Sequence, residues 1–148
     1  MAFVVKNTEI YTYILSRIEE DVLAMGFRRS GKGVLFYRYS ADKQIACGIE
    51  MQKSAYSSED HCVFTFNITC IAAHHVSPRP KELTLAHIKV ALRTKFERIG
   101  PAWSAGKGWW EITGEYLKEY GLEGYYDRFV RKEILKCGRY LSDKMALY

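Results

Sequence analysis

The sequence predicts an α+β fold: an antiparallel meander sheet of about four to five strands with helices packed on one face. Three observations carry that expectation. Residues 7–26 repeat apolar side chains at helical spacing, residues 34–72 alternate apolar and polar side chains in three runs, and the connections between those runs are short. Parallel strands need a crossover of a dozen or more residues, so short links imply antiparallel pairing.

The first element reads as a helix. Asn7 or Thr8 is placed to cap its start, Tyr11, Leu15, Ile18, Val22 and Met25 form a stripe that Ile10 and Ile14 widen, and Gly26 supplies the stop. Arg17, Glu19, Glu20 and Asp21 occupy the other side. Val34–Tyr39 is the first strand, after the loose Ser30–Gly33. Gln44–Lys53 puts Ile45, Cys47, Ile49 and Met51 on one face, and His61–Ala72 puts Cys62, Phe64, Phe66, Ile68 and Cys70 on one face. The links Ser40–Lys43 and Ser54–Asp60 are short. Superposing the apolar faces gives a register with Met51 opposite Phe64, Ile49 opposite Phe66 and Cys47 opposite Ile68. Glu50 then faces Thr65 and Gly48 faces Asn67.

After the breaker segment Val76–Pro80, the residues Leu85, Ile88, Leu92 and Phe96 read as a second helix. Glu97–Ile99 is a candidate short strand before Gly100-Pro101. Trp109–Ile112 reads as a strand after the small-residue stretch Ser104–Gly108, and its two tryptophans point to opposite faces. Val130, Ile134, Cys137, Leu141 and Met145 mark a final helix over about 123–146, weakened in its middle by Gly138. Neither a composition shift nor a repeat divides the 148 residues, so they are expected to form a single globular domain.

With 48% hydrophobic and 26% charged residues, the chain has enough apolar side chains for a core. The formal charge is +5, yet Lys and Arg are spread along the chain, whereas a nucleic-acid footprint normally clusters them. Met1–Val5 is too short for a signal peptide and no apolar run reaches a membrane span, which points to a cytoplasmic location with no membrane partner. Four cysteines, at 47, 62, 70 and 137, form no Cys-x-x-Cys pair, so they read as reduced core thiols and no metal set is expected.

Gly26–Lys32 matches the first seven positions of a phosphate-binding loop. The chemistry requires a strand before it, a helix after it and Ser or Thr next; here the order is helix then strand, and residue 33 is Gly. His74 and His75 are adjacent and point apart on any regular element. No nucleophile, base and orienter can be assembled, and no cofactor motif occurs. Aromatics make up 14% of the chain. Tyr37, Tyr39, Trp109 and Trp110 could stack on a planar ligand, although rings with a polar edge equally suit half-buried sheet positions.

The better candidate site is the polar sheet face. With Tyr39 opposite Gln44, the residues Leu35, Tyr37 and Tyr39 share the face of Glu50, Gln52, Thr65 and Asn67, and Gly48 leaves a gap beside Asn67 for a small group or a partner side chain. The expected binding residues are Tyr37, Tyr39, Glu50, Gln52, Asn67 and Trp109.

Gly26-Phe27-Arg28-Arg29, Phe36-Tyr37-Arg38, Gln52-Lys53-Ser54 and Phe64-Thr65-Phe66-Asn67-Ile68, followed by Arg98-Ile99-Gly100 and by Lys107, Trp109, Trp110, Glu111 and Ile112, resemble the bacterial family called domain of unknown function 4304. The resemblance covers roughly residues 8–112 and departs at Thr94-Lys95-Phe96, where the family often has a Cys-His pair. It implies the fold and leaves the activity open. The leading expectation is a non-catalytic protein that binds a protein partner or a small ligand. The alternatives are a nucleic-acid binder using the Arg28–Lys32 turn and the final helix, and an enzyme with Glu50 as acid or base beside Tyr37 or Asn67.

Overall fold

The computed structural model describes residues 6–55, 57–58, 61–101 and 109–148. Met1–Val5, Lys107 and the Ser104–Gly108 stretch lie outside the described residues. In chain order the elements are α1 (Asn7–Ala24), β1 (Arg28–Arg29), β2 (Leu35–Tyr39), β3 (Ile45–Lys53), β4 (Cys62–Ala72), a 3-10 turn (Ala73–His75), α2 (Leu85–Thr94), β5 (Glu97–Ile99), β6 (Trp110–Ile112), α3 (Gly114–Tyr125), a π-helical turn (Tyr126–Val130) and α4 (Arg131–Leu147). The strands form one antiparallel sheet in the order β1-β2-β3-β4-β5, and β6 pairs with the other end of the same β4 edge.

α1 ends as its glycine dictates. Gly26 takes φ +91, its N–H donates to Leu23 O at 3.1 Å and the Phe27 N–H reaches back to Val22 O at 3.0 Å, the paired bonds of a Schellman stop. The start differs from expectation. Lys6 occupies the cap position, and no side chain caps the helix. Asn7 instead donates from Nδ2 to Ser58 O and accepts from Lys53 Nζ at 3.2 Å, tying the first turn to the β3–β4 connection.

Both predicted registers are displaced by two residues. Met51 pairs with Phe66, Ile49 with Ile68, Cys47 with Cys70, Glu50 with Asn67 and Gly48 with Thr69; Tyr39 pairs with Ala46 rather than Gln44. A shift of two leaves every side chain on its own face, so the apolar pattern cannot detect it. The turns decide it. Between β2 and β3 the Ser40 N–H donates to Ile45 O at 2.9 Å, Ser40 Oγ accepts from Ile45 N at 3.0 Å, and Lys43 takes φ +55. Beyond β3 the Ser54 N–H extends the ladder to Val63 O at 2.8 Å, and Ser57 Oγ accepts from Val63 N at 3.0 Å.

α1, the π turn and α4 cover one face of the sheet, over Phe36, Cys47, Ile49, Met51, Phe64, Phe66 and Ile68, as the apolar alternation requires. Trp110 completes this core, stacked on Phe64 with ring centroids 5.6 Å apart and edge-on to Phe66 at 5.4 Å, its Nε1 donating to Phe129 O at 2.8 Å. The charged flank of α1 is engaged too: Arg17 pairs with Asp127 at 2.9 Å, and Asp21 accepts from the Tyr126 hydroxyl and pairs with Arg131 at 3.4 Å. Gly138 lets α4 approach α1, since a β-carbon there would stand 2.1 Å from Met25 Sδ.

α2 adds a second, smaller core on the opposite face, where Ile88, Ala91 and Leu92 pack over Leu35, Ala46 and Ile71. Thr84 and His87 form its N-terminal capping box, with His87 Nδ1 accepting from the Thr84 N–H at 3.0 Å. The helix stops at Thr94, which leaves Phe96 exposed before β5. The final helical region starts earlier than its periodicity indicated. α3 begins at Gly114, capped by Thr113 Oγ1, and turns at Gly121 (φ 69) into the segment that runs to Leu147. Among the described residues no helix is long and apolar enough to cross a membrane.

Candidate functional site

α2 divides the polar sheet face, and the six sequence-predicted residues fall on either side of it. The gap expected at Gly48 is closed: a β-carbon at this position would lie 2.5 Å from Ile88 Cγ2 and 3.4 Å from Leu92 Cδ1. Gly48 is therefore the seat of α2, and its neighbour across the ladder is Thr69. The missing side chain admits a helix of the same chain, so no ligand can use that space.

On one side lie Gln52, Asn67 and Trp109, joined through Arg98. Asn67 is buried and has both ends engaged: its Nδ2 donates to Gln52 Oε1 at 2.8 Å, and its Oδ1 accepts from Arg98 Nε at 3.3 Å. The Arg98 guanidinium lies 4.8 Å from the centre of the Trp109 ring and 5.9 Å from that of Phe96. Glu50 stands between Leu35 and Asn67 in the ladder and is half-buried, with Tyr37 on a diagonal. Asn67 thus serves as a link between three strands, with Gln52 exposed at one end and a stacked cation at the other. Arg98 escaped the predicted set because its strand is only three residues long; its pairing with Asn67 is set by tertiary structure.

On the other side Tyr37 and Tyr39 form an edge-to-face pair with centroids 5.5 Å apart. They line a groove of about 420 Å³ together with Gly26, Arg28, Arg38 and Lys43. The groove lies at the outer end of the sheet. β1 is two residues long and pairs only with Phe36 and Tyr37, so among the described residues no strand lies beside the outer edge at Tyr39. Arg28 is opposite Tyr37 and exposed. Arg38 reaches the groove from the other face of the sheet, held by donation to Ser142 Oγ at 2.9 Å and Met25 O at 3.4 Å. Lys43 arrives through its left-handed turn and sets its ammonium 5.5 Å from the Tyr39 ring centre.

The groove therefore combines three cations and two aromatic rings, and among the described residues none that lines it carries a carboxylate. Asp42, adjacent in sequence, directs its carboxylate to the Gln44 N–H at 3.1 Å and Ser40 Oγ at 2.8 Å, and these bonds hold its pKa below the ordinary value. Burial, then the neighbouring Tyr37 hydroxyl, raises the pKa of Tyr39. Of the groove cations, Arg28 and Arg38 stand in segments noted for their family resemblance. Lys43 carried no signal beyond a turn position.

The P-loop-like segment behaves as its element order requires. Gly26 closes α1, and Arg29 donates from Nε to Gly33 O at 2.8 Å and pairs with Glu19 at 2.5 Å, so the turn is folded on itself. His74 and His75 are exposed on the 3-10 turn, with Tyr148 5.6 Å from the His75 ring. Among the described residues no group of three or more His, Cys, Asp or Glu side chains is placed to hold a metal ion.

No curated protein and no solved structure matches the chain. The family model described as Domain of unknown function (DUF4304) matches residues 18–133, which extends past the last stretch of resemblance into the π turn and the start of α4. The match spans all the described strands of the sheet, α2 and the aromatic cluster around Trp110, and the chain belongs to the DUF4304 family.

Proposed function

We propose that this protein is a non-catalytic binding protein that captures an acidic segment of a protein partner in the groove between β1 and the β2–β3 turn. The observation that supports it is the groove's composition: Arg28, Arg38 and Lys43 surround Tyr37 and Tyr39 at the end of the sheet beyond β1, and among the described residues none that lines the groove carries a carboxylate. Tyrosine supplies rigid contact area with a polar tip, and arginine reads carboxylates in a planar, two-pronged fashion. An extended acidic peptide could add main-chain bonds at Tyr39, whose backbone N–H and C=O point away from β3, while its carboxylates meet the cations.

Nucleic acid is the second reading, motivated by the same cations. Against it, the exposed Lys132, Lys136 and Arg139 lie on α4, which packs on the face of the sheet opposite Tyr37 and Tyr39. The basic turn and the basic helix therefore do not form one stripe for a phosphate backbone to follow.

Fluorescence anisotropy with a labelled Asp- and Glu-rich peptide, a neutral peptide of equal length and a single-stranded oligonucleotide separates the readings. Saturable binding of the acidic peptide alone, weakened by Arg28→Ala and Lys43→Ala, is the expected result. Preference for the oligonucleotide, with a steep loss of affinity in salt and dependence on Lys136 and Arg139, would replace it with the nucleic-acid reading. Equal binding of acidic and neutral peptides would reject the charge argument.

A further inference from the structure

Cys47 and Cys70 face one another across β3 and β4. The ladder fixes which kind of pair they form. Ser54 N–H donates to Val63 O at 2.8 Å and Ala73 N–H to Gln44 O at 2.7 Å, so the even-numbered residues of β3 sit in hydrogen-bonded pairs. Cys47 belongs to the alternate, closer type, whose α-carbons are about 4.5 Å apart. That separation lies inside the roughly 4.4–6.8 Å that a disulfide spans.

The two thiols share the α4-covered face but not the same access. Cys47 is fully buried, its Sγ 3.9 Å from Leu141 O. Cys70 is half-buried; β5 pairs with Phe66, Asn67 and Ile68, and among the described residues it stops short of Cys70. A cleft of about 40 Å³ opens there, lined by Cys70, Lys95, Glu97, Tyr140 and Lys144 among others, which is room for one small molecule. The hydrogen bond from Cys47, with the nearby Lys144 ammonium, favours the Cys70 thiolate against its partial burial, and the same bond together with desolvation keeps Cys47 protonated.

We propose that Cys70 and Cys47 are a reversible oxidation site that takes a small hydroperoxide: Cys70 as the attacking thiolate and Cys47 as the resolving thiol. In the first step Cys70 sulfur attacks the peroxide oxygen, the O–O bond breaks and, for hydrogen peroxide, hydroxide leaves as Cys70 becomes a sulfenic acid. In the second, Cys47 sulfur attacks Cys70 sulfur, hydroxide leaves and takes up the Cys47 proton, and the disulfide closes. Two thiols and one hydrogen peroxide become one disulfide and two waters. The row Arg38–Cys47–Cys70 crosses three strands, so the site adjoins a cation of the binding groove, although the oxidation chemistry stands independently of that groove's ligand.

The test treats the reduced, folded full chain with hydrogen peroxide and follows the four thiols by peptide mass spectrometry. The expected product has lost two hydrogens, carries a Cys47–Cys70 link and is restored by dithiothreitol. Cys62→Ser and Cys137→Ser retain the link, Cys70→Ser abolishes it, and Cys47→Ser leaves a Cys70 sulfenic acid trapped by dimedone; circular dichroism establishes that each variant is folded. A link between any other pair, progression of Cys70 to sulfinic or sulfonic acid while Cys47 stays free, or unchanged thiols in the folded protein would each overturn the proposal.

Discussion

Gly48 lies directly beneath Ile88: a β-carbon on residue 48 would stand 2.5 Å from Ile88 Cγ2. This contact seats α2 on the sheet and separates the Arg98 cluster from the tyrosine groove. Gly48→Ala is expected to destabilise the fold by about 1–3 kcal/mol, the usual cost of overpacking. Urea unfolding measures it. In a double-mutant cycle, Ile88→Ala should recover part of that cost, and strictly additive losses would show that the two positions do not meet.

Adjacent tryptophans should behave differently. Trp110 is fully buried against Phe64 and Phe66, so Trp110→Ala is expected to cost about 3–5 kcal/mol. Trp109 is half-exposed over Arg98, and its loss removes a cation–π contact worth about 0.5–1 kcal/mol. Chemical denaturation with far-ultraviolet circular dichroism as the probe compares the two; similar losses would contradict the assignment of opposite faces.

In the groove, the cations and the rings should contribute unequally. Arg28→Ala and Lys43→Ala are each expected to weaken acidic-peptide binding only by the roughly 0.2–1 kcal/mol of an exposed ion pair, and to flatten its salt dependence. Tyr39→Ala should cost about 2 kcal/mol of binding, as an aromatic anchor does. Titrations at two ionic strengths separate these effects, with thermal melts reporting whether the Tyr39 variant stays folded. A Tyr39 effect smaller than that of either cation would move the contact away from the tyrosines.

Alkaline pH should destabilise the protein through its buried tyrosines. Burial raises the Tyr11 pKa from 10.0 to about 12, and burial raises those of Tyr125 and Tyr126 as well. Between the unfolded and folded values the native state holds more protons, so stability falls as pH rises. The contribution of Tyr11 is complete below about pH 10 and is lost as pH climbs through about 12. Tyr11→Phe should make the stability profile shallower over that window; an unchanged slope would place Tyr11 in contact with solvent.

Much of this fold is legible residue by residue because burial imposes period. The stripe Ile10, Ile14, Leu15, Ile18 and Val22 is the buried face of α1, and the alternation in β3 and β4 separates their two faces correctly. Gly26 also declares its own stop. α3 is harder to read, because its side chains are mostly partly exposed and Gly121 interrupts its helical geometry. The candidate site is legible only in part. Tyr37, Tyr39, Gln52 and Asn67 are assigned to one face by parity alone, but nothing local announces that Asn67 joins Gln52 to Arg98 or that Lys43 turns back over Tyr39.

From the sequence alone came the α+β class, the two faces of each long strand, the opposite faces of the two adjacent tryptophans and the family resemblance, since each depends on the order of neighbouring side chains. Tertiary structure decided the register, the seat of α2 on Gly48, the groove of three cations around two tyrosines and the pairing of Cys47 with Cys70. A slip of two residues keeps every side chain on its own face, so only the turn hydrogen bonds of Ser40 and Ser54 and the packing of a helix 40 residues away from Gly48 (Ile88) select one arrangement.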